Sequence, residues 1–577
     1  MRWFWRLLGR VLVGILAMVG ALALLAAIGV AAFAWFMLPP GRPGLPERMV
    51  LTLDLREGLE EVTGTDPLAA LAVGWQPALA DVVLALDQAG EDERVVGLLV
   101  RLDGQGPGFA QLQELRDAVR RFRDRGKPAV AHADAFGEFG PGNGGYYLAS
   151  AFERIDLQPV GTLGLTGLIL EAPLARGLLD KLGVLPAGDR RGVYKTIYDT
   201  FAESEMTPAH RESLQSLVGS LDEQLRQGLS EGRGLEPQAV ARLIDGGPYT
   251  APEAQGLGLV DRLSYWYDTA AEMRDLAGED RAMVDLLDYA AAIEPPAEAP
   301  VVALVHGIGQ IQRGDSEQSA LGGWVMGGDT VARALSDAID DADVRAILFR
   351  ISSGGGSAVA SDTIGRQVRR AVEQGKPVIV SMGDVAASGG YWIAMDASRI
   401  VAAPGTLTGS IGVVAGKPVL AQLWQDVGVA WGSAQRGANA DMWSTNTDYS
   451  ARGRARLEAF LDWTYQSFVD GVARGRGLPQ EDVLEVAQGR VWTGAQAKER
   501  GLVDDLGGFA DALIVARQEI GLEADAPIEL RPFPPPRTLL EQALDLAFLG
   551  GIRQLSVETL LERLAPGVLS TPPLVVR

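Results

Sequence analysis

One serine of the sequence stands in a setting suited to nucleophilic chemistry. Ser388 begins the run SGGYW, between a predicted strand and an apolar stretch from Tyr391 to Met395 that is predicted to be helical. A side chain at the N-terminus of a helix lies beside free backbone N–H groups and the positive end of the helix dipole. A hydroxyl in that position could attack a carbonyl carbon.

A glycine-rich turn could supply the hydrogen-bond donors that such a reaction needs. Gly354, Gly355 and Gly356 follow another predicted strand, and glycine leaves backbone N–H groups unobstructed by a Cβ atom. Two N–H groups aimed at one point form an oxyanion hole, in which each donor is worth about 3–4 kcal/mol. Gly355 and Gly389 are the candidate donors. Glycine pairs can also serve only to let a helix pack closely against a strand, but two such motifs in one unit favour catalysis.

A serine nucleophile needs a base, and the usual histidine is poorly placed in this sequence. The histidines are scattered, with His132 and His210 in the first half of the chain and His306 in a predicted strand. A neutral lysine is the alternative, provided that desolvation lowers its pKa by about 3 units from ~10.4. The lysines of the chain are Lys127, Lys181, Lys195, Lys376, Lys417 and Lys498.

Spacing singles out Lys195 among these lysines. Lys127 and Lys376 occupy equivalent GKP turns, and the other three, at helix or turn positions, are expected to be solvated. Lys195 lies in the run GVYKT and is the candidate general base. The alternative is a surface lysine close to two arginines.

The two halves of the chain repeat the same series of motifs. VVGLLVR at 95–101 matches VRAILFR at 344–350, and a glycine-rich turn, a GKP turn, a GGY element and a GLVD motif then recur in the same order. The offset between matched motifs stays between 243 and 249 residues. Each copy alternates short β-branched runs with helical segments, which predicts parallel strands joined by crossover helices. The body is therefore predicted to be two tandem α/β domains, 49–295 and 298–530.

The two copies differ at the residues that could do chemistry. Asn143 stands in the first copy where Ser388 stands in the second, and Ala440 stands in the second copy where Lys195 stands in the first. An amide cannot act as a nucleophile in the way a hydroxyl can. This complementarity predicts one composite site, with the base from the first copy and the nucleophile from the second.

Composition excludes several kinds of site and partner. The chain has no cysteine, which removes disulfides, cysteine-ligated metals and cysteine nucleophiles, and its histidines lack metal-ligand spacing. Its net charge of −22 disfavours nucleic-acid binding, which needs a surplus of lysine and arginine. We therefore expect no metal, no cofactor and no nucleic-acid partner.

The N-terminus is predicted to anchor the protein in a membrane. Residues 11–38 form an uncharged apolar run, longer than the ~7–15 residues of a cleavable signal peptide. Arginines within residues 1–10 place that end in the cytoplasm, with the linker 39–48 and the body across the membrane. The alternative is a segment that is cleaved. The C-terminal tail, 531–577, includes the amphipathic stretch 538–564, which is predicted to be a helix that docks on a neighbouring surface; the alternative is contact with the membrane.

Four motifs resemble those of the signal peptide peptidase A (protease IV) family in its long, internally duplicated form. They are ISSGGGS (351–357), AASGGYWIA (386–394), GTLTGSIGV (405–413) and GVYKT (192–196). The resemblance covers nearly the whole chain. It implies a crotonase-like or Clp-protease-like fold and a homotetramer anchored in the bacterial inner membrane, with its bulk on the periplasmic side. It also implies a serine endopeptidase that degrades cleaved signal peptides.

The resemblance also implies roles for single residues. Ser388 is implied to be the nucleophile and Lys195 the general base, while Ser410, in TGSIG, would hydrogen-bond the lysine amine and orient it. The implied oxyanion donors are Gly355 and Gly389. One position departs from the family pattern, because Gly354 stands where proline is usual and the turn lacks the φ restraint of proline.

We expect a membrane-anchored serine endopeptidase that acts on apolar, extended peptides. Two other functions suit parts of the sequence. A crotonase-type acyl-CoA enzyme would also use two backbone N–H groups, to stabilise an enolate, but it needs neither the anchor nor the pairing of Ser388 with Lys195. A non-catalytic membrane scaffold or chaperone would need the anchor but not the pair.

Overall fold

The computed structural model describes most of the two repeats. The described residues are Gly20, 44–62, 76–104, 106–293, 299–318 and 323–535. Outside the described residues lie the predicted anchor 11–38 apart from Gly20, residues 39–43 of the linker 39–48, the junction at 294–298 and the tail beyond 535. Among those described, no helix has both the length and the apolar composition needed to cross a membrane.

The first repeat is built on a sheet of six parallel strands. In space these strands follow the order β8-β4-β3-β2-β1-β9, while β5 pairs with β7. The strands of this repeat are β1 (Met49–Asp54), β2 (Val95–Leu102), β3 (Ala129–Ala133), β4 (Arg154–Leu157), β5 (Thr162–Leu163), β6 (Leu185–Arg191), β7 (Tyr249–Thr250), β8 (Arg262–Leu263) and β9 (Ala282–Asp285).

The second repeat has the same sheet with an added edge. Its parallel strands run in the order β20-β16-β15-β14-β10-β21, and β17 and β19 extend the sheet beside the far half of β15. The strands of this repeat are β10 (Val301–Ile308), β11 (Gln310–Gln312), β12 (Glu317–Gln318), β13 (Trp324–Gly327), β14 (Val344–Ser353), β15 (Val378–Ala387), β16 (Arg399–Ala402), β17 (Leu407–Gly409), β18 (Val413–Val419), β19 (Val491–Thr493), β20 (Asp505–Leu506) and β21 (Glu529–Phe533).

Helices connect the strands and cover the sheets. They are α1 (Leu79–Glu91), α2 (Phe109–Asp124), α3 (Asn143–Ala149), α4 (Arg176–Lys181), α5 (Asp199–Ala202), α6 (Pro208–Arg233), α7 (Pro237–Gly246), α8 (Ala251–Gly256), α9 (Trp266–Asp275), α10 (Leu286–Ala292), α11 (Gly328–Asp340), α12 (Ala358–Glu373), α13 (Gly389–Trp392), α14 (Ala421–Asp426), α15 (Ala451–Arg476), α16 (Gln480–Val486), α17 (Gly494–Glu499) and α18 (Phe509–Glu519). Two 3-10 turns, Thr196–Tyr198 and Gly278–Asp280, complete the set.

The central strands are near-continuous apolar runs, as expected for parallel strands covered on both faces. In β14 the side chains from Ala346 to Ile351 are all buried, and Phe349 packs with β10, β15 and the helices of one face. Leu348 faces the opposite core, which is closed by α18. The predicted α/β class and the predicted duplication are confirmed by the matching strand order of the two sheets.

A strand ladder and a buried ion-pair cluster are among the contacts that join the two repeats. β6 of the first repeat pairs antiparallel with β18 of the second along seven residues, Leu185–Arg191 against Val413–Val419. Arg350 of β14 is buried between two carboxylates of the first repeat, with distances of 2.8 Å to both Glu61 and Glu114. These contacts hold residues more than 200 positions apart in one unit.

Candidate active site

Ser388 lies at the turn between β15 and the single-turn helix α13. Its φ of +55° and ψ of −117° are rare for a residue with a side chain, and such strain persists only where the surroundings impose it. Here the Ser388 N–H donates to the Gly409 carbonyl at 2.9 Å, and the Ser388 carbonyl accepts from Tyr391 and Trp392 at 3.0 and 2.9 Å. The sharp turn leaves the half-buried hydroxyl at the end of the sheet.

Lys195 reaches this hydroxyl from the first repeat. It follows β6, whose ladder with β18 carries the chain to the second repeat, and it precedes the 3-10 turn Thr196–Tyr198. Its Nζ atom lies 2.9 Å from Ser388 Oγ, 2.9 Å from Ser410 Oγ and 3.0 Å from the Ser410 carbonyl oxygen. The structure therefore brings together the three side chains that the sequence indicated.

The environment of Lys195 favours a neutral amine. The residue is only 4% exposed, and burial lowers the pKa of Lys195 to about 7. Desolvation penalises the charged form, and no carboxylate among the described residues pairs with the amine to offset it. A substantial fraction of this lysine is therefore unprotonated at neutral pH.

The glycine turns meet beside Ser388, although one predicted donor is occupied. Gly355 has φ +100°, and a Cβ atom there would lie 2.6 Å from the Gly389 nitrogen and 2.8 Å from Ser388 Cβ. The Gly355 N–H donates to Ser353 Oγ at 3.1 Å, and that hydroxyl donates to the Gly309 carbonyl at 2.6 Å. Contrary to the expectation of an open donor, the Gly355 N–H already has an acceptor.

Two other N–H groups of the turns are open. Among the described residues, no acceptor is within hydrogen-bonding reach of the N–H groups of Gly356 and Gly389. The Gly356 nitrogen would lie 3.1 Å from a Cβ atom at Gly389, so the two groups are neighbours. Gly354, where the family usually has proline, lies within the same turn and lines the adjacent cavity.

An apolar cavity of about 120 Å³ opens beside the serine. Trp392 and Phe468 pack together on one side, with ring centroids 4.6 Å apart and ring planes tilted by 35°. Val413 and Val414, at the start of β18, lie on another side. A cavity of this size and polarity fits a small or medium apolar side chain.

Three of the other lysines, Lys127, Lys376 and Lys417, bond to backbone carbonyls away from this site. Lys127 and Lys376 donate to backbone carbonyls around the ends of the equivalent helices α1 and α11, as their equivalent turns indicate. Lys417 was expected to be solvated, and this is wrong. It lies within β18, is 3% exposed, and donates to the Ser444 carbonyl at 2.6 Å above the ring of Tyr449.

The histidines and Asn143 do not take part in this site. His132 and His210 are buried in the first repeat, and desolvation lowers the pKa of His306 on β10 to about 4. Asn143 accepts from the N–H groups of Thr166 and Gly167, so the amide that replaces the serine holds a loop together.

Sequence reasoning missed the segment Gln488–Arg490. Its backbone bonds to both the Lys195 loop and the Ser410 loop, because Tyr194 N–H donates to the Gln488 carbonyl and Ser410 N–H donates to the Arg490 carbonyl. Backbone groups are common to all residues, so the one residue type that could have marked this segment is the glycine at 489, which the close approach to Lys195 requires.

A model of peptidase family S49 matches residues 121–280 and 370–523, one stretch in each repeat. The chain belongs to peptidase family S49. Protease 4 of Salmonella typhi is 34% identical over 456 residues, which are 76% of this chain and 72% of that protein. The chloroplastic serine protease SPPA of Arabidopsis thaliana is 30% identical over 466 residues, 79% of this chain and 68% of that protein.

A solved structure with lower similarity is a mutant of the membrane-bound stomatin-specific protease 1510-N. It is 19% identical, with a TM-score of 0.26, and the match covers 41% of this S49 chain and 99% of that chain. A TM-score at that level carries no argument about the present fold. The family match and the relatives confirm the expected resemblance to the protease IV family, and the chain is a serine protease with two S49 domains.

Proposed function

We propose that this S49 chain is a membrane-anchored serine endopeptidase that uses Ser388 and Lys195 as a dyad to degrade cleaved signal peptides and other apolar, extended peptides. The observation that carries the proposal is the 2.9 Å contact between Lys195 Nζ and Ser388 Oγ, which joins the two repeats. An amine with its pKa lowered to about 7 matches the requirement for a general base near neutral pH.

In the proposed reaction, neutral Lys195 takes the proton of Ser388 Oγ as that oxygen bonds to the carbonyl carbon of the scissile peptide. The resulting oxyanion lies near the Gly389 N–H, and the Gly355 N–H joins it by exchanging Ser353 Oγ for the substrate oxygen. The Lys195 ammonium then donates its proton to the leaving amine, which departs and leaves an acyl-enzyme. A water molecule, deprotonated by Lys195, hydrolyses the ester and restores Ser388.

An extended substrate has a strand edge to pair with. Among the described residues β18 pairs only with β6, so its other edge, which starts at Gly412 and Val413 beside the cavity, can accept a peptide in β-conformation. Backbone pairing would hold the peptide independently of sequence. The apolar cavity would then select an apolar side chain next to the scissile bond.

The cellular setting in this proposal rests on the sequence. The apolar run 11–38 would be the inner-membrane anchor, with residues 1–10 in the cytoplasm and the two repeats in the periplasm. The domain limits 49–295 and 298–530 and the homotetramer belong to the same proposal.

Membership of a peptidase family favours this function over an acyl-CoA enzyme. The pairing of Ser388 with a buried lysine favours it over a scaffold.

The test is cleavage of a synthetic signal peptide by wild type and by Ser388→Ala. We expect the variant to lose at least about 10³-fold in kcat/KM, because no other group replaces the nucleophile. Ser467→Ala is the matched control, since among the described residues the Ser467 hydroxyl bonds to the Trp463 carbonyl of its own helix and to no group of the site. Undiminished cleavage by a folded Ser388→Ala protein would refute the dyad.

A further inference from the structure

Three segments of the chain meet around Lys195. The Lys195 loop comes from the first repeat, while the Ser410 loop and the segment Gln488–Arg490 come from the second. The Tyr194 N–H donates to the Gln488 carbonyl at 2.9 Å. The Gly489 N–H donates to the Ile411 carbonyl at 2.8 Å, and the Ser410 N–H donates to the Arg490 carbonyl at 2.7 Å. The segment Gln488–Arg490 is therefore the backbone bridge between the lysine and the serine that orients it.

The bridge lies in direct contact with the Lys195 backbone. Gly489 has φ +78°, and a Cβ atom at this position would lie 2.6 Å from the Lys195 nitrogen and 2.7 Å from its Cα atom. Gln488, one residue earlier, has φ +53°, which is rare for a residue with a side chain. Such a strained and close approach requires a contact that holds it in place.

The side chain of Arg490 supplies that contact. Its guanidinium group lies between two aromatic rings, 4.8 Å from the ring centroid of Tyr194 and 4.4 Å from that of Trp492. It donates to Glu212 on α6 at 2.8 Å, and the Tyr194 hydroxyl donates to the other oxygen of the same carboxylate at 2.9 Å. Arg490 thus contacts two residues of the first repeat, one of which precedes Lys195 in the chain.

We propose that Arg490 is a positioning residue of the dyad, which clamps the Lys195 loop of the first repeat against Ser410 through Tyr194 and Glu212. This inference rests on the proposed function. Arg490 does not bond to the lysine amine, so it acts through the loop. A released loop would let water reach the amine and would lengthen its contact with Ser388 Oγ.

Other charged groups also surround the loop. Arg190 pairs with buried Asp199 behind it and donates to the Lys195 carbonyl at 3.4 Å. His210 lies 3.7 Å from the same aspartate. Arg490 and Glu212 also lie beside the loop, and removing either charge would by itself shift the apparent pKa of Lys195. The experiment must therefore distinguish the loss of a charge from a displacement of the Lys195 loop.

The experiment measures the pH profile of kcat/KM, together with kcat and KM, for purified wild type, Arg490→Met and Arg500→Met. We expect Arg490→Met to raise the apparent pKa of the base by about one unit and to lower kcat about tenfold, with KM unchanged. Arg500→Met is the control, because Arg500 also lies over the ring of Trp492, at 3.9 Å, but its hydrogen bonds within the described residues go to Gln496 and Glu499 of its own repeat. It should keep the wild-type profile.

Glu212→Gln separates position from charge. If Arg490 acted only as a nearby cation, Arg490→Met would raise the apparent pKa and Glu212→Gln, which removes an anion, would lower it. If the clamp is lost, water reaches the Lys195 amine in both variants, so the apparent pKa of the base should rise in both. A downward shift in Glu212→Gln would overturn the proposal.

Arg490→Lys covers the case in which the methionine variant does not fold. It keeps a cation beside Glu212 but loses the planar stacking, and a smaller upward shift is expected. An unchanged pH profile in a folded Arg490 variant would overturn the inference. Activity that does not depend on Ser388 in wild type would instead refute the proposed function, so the two failures can be told apart.

Discussion

At the scale of single residues, the Lys195 amine has as many partners as its neutral form can use. A neutral amine has two hydrogens and one lone pair. The two hydrogens suit the Ser410 carbonyl and Ser410 Oγ, at 3.0 and 2.9 Å, and the lone pair then accepts the Ser388 hydroxyl proton at 2.9 Å. Ser410 therefore sets the direction of the lone pair as well as contributing to the burial of the amine.

Replacing Ser410 by alanine should test this assignment. The variant leaves one buried N–H of Lys195 without an acceptor, which costs about 1–3 kcal/mol. We expect kcat to fall roughly 10- to 100-fold, with a smaller change in KM, in steady-state assays on a signal-peptide substrate. Ser398→Ala, which removes a hydroxyl that accepts from the Val378 N–H, is a control outside the site. A wild-type kcat in Ser410→Ala would show that the lysine needs no such orientation.

At the scale of elements, the site is made of strand ends that turn sharply. Ser388 and Ser410 both have positive φ, at +55° and +51°, each directly after a strand of the second sheet. Gly355, with φ +100°, approaches the Ser388 turn too closely for a side chain, and Gly489, with φ +78°, approaches the Lys195 backbone in the same way. Four backbone positions with positive φ thus surround one point, and two of them are serines.

Gly489→Ala should disturb the site in two ways. It places an alanine at positive φ, and its Cβ atom overlaps Lys195. The added Cβ atom would overlap the Lys195 backbone at 2.6–2.7 Å, so the Lys195 loop must shift. A displacement of about 1 Å at reacting atoms can cost roughly 100-fold in rate. Gly428→Ala is a close control, because Gly428 has nearly the same φ, +77°, and no atom lies within 4 Å of the added carbon.

The two glycine variants are compared by kcat/KM and by melting temperature. We expect both to lose some stability and only Gly489→Ala to lose about 100-fold in kcat/KM. Equal losses of activity in the two variants would mean that the packing of the bridge against Lys195 is unimportant for catalysis.

At the scale of the whole molecule, the two repeats have divided the site between them. The sheets keep the same strand order, but the first repeat has Asn143 in place of the serine and supplies the lysine. The repeats are joined by the β6–β18 ladder and by the buried pairing of Arg350 with Glu61 and Glu114. A single repeat would lack either the proposed nucleophile or the proposed base.

Much of this arrangement could be predicted from the sequence. The repeated motifs indicated the two α/β units, and the absence of counterparts to Ser388 and Lys195 indicated a composite site. The burial of Lys417 could not be predicted, because it depends on the ladder in which Lys417 of β18 pairs with Ala187 of β6, 230 positions earlier in the chain. The occupied N–H of Gly355 was also missed, because it depends on the conformation of the Ser353 hydroxyl.

The most direct test of a dyad shared between the repeats is the pH dependence of the rate at which a fluorophosphonate probe labels Ser388. Only the neutral amine can take the proton, so the rate should rise with pH through a single ionisation near the Lys195 pKa of about 7 and then level off. The adduct should lie on the peptide that contains Ser388, and Lys195→Met should be labelled at least about 10³-fold more slowly. A wild-type rate that is independent of pH between about 5 and 9, or equal labelling of Lys195→Met, would contradict the account.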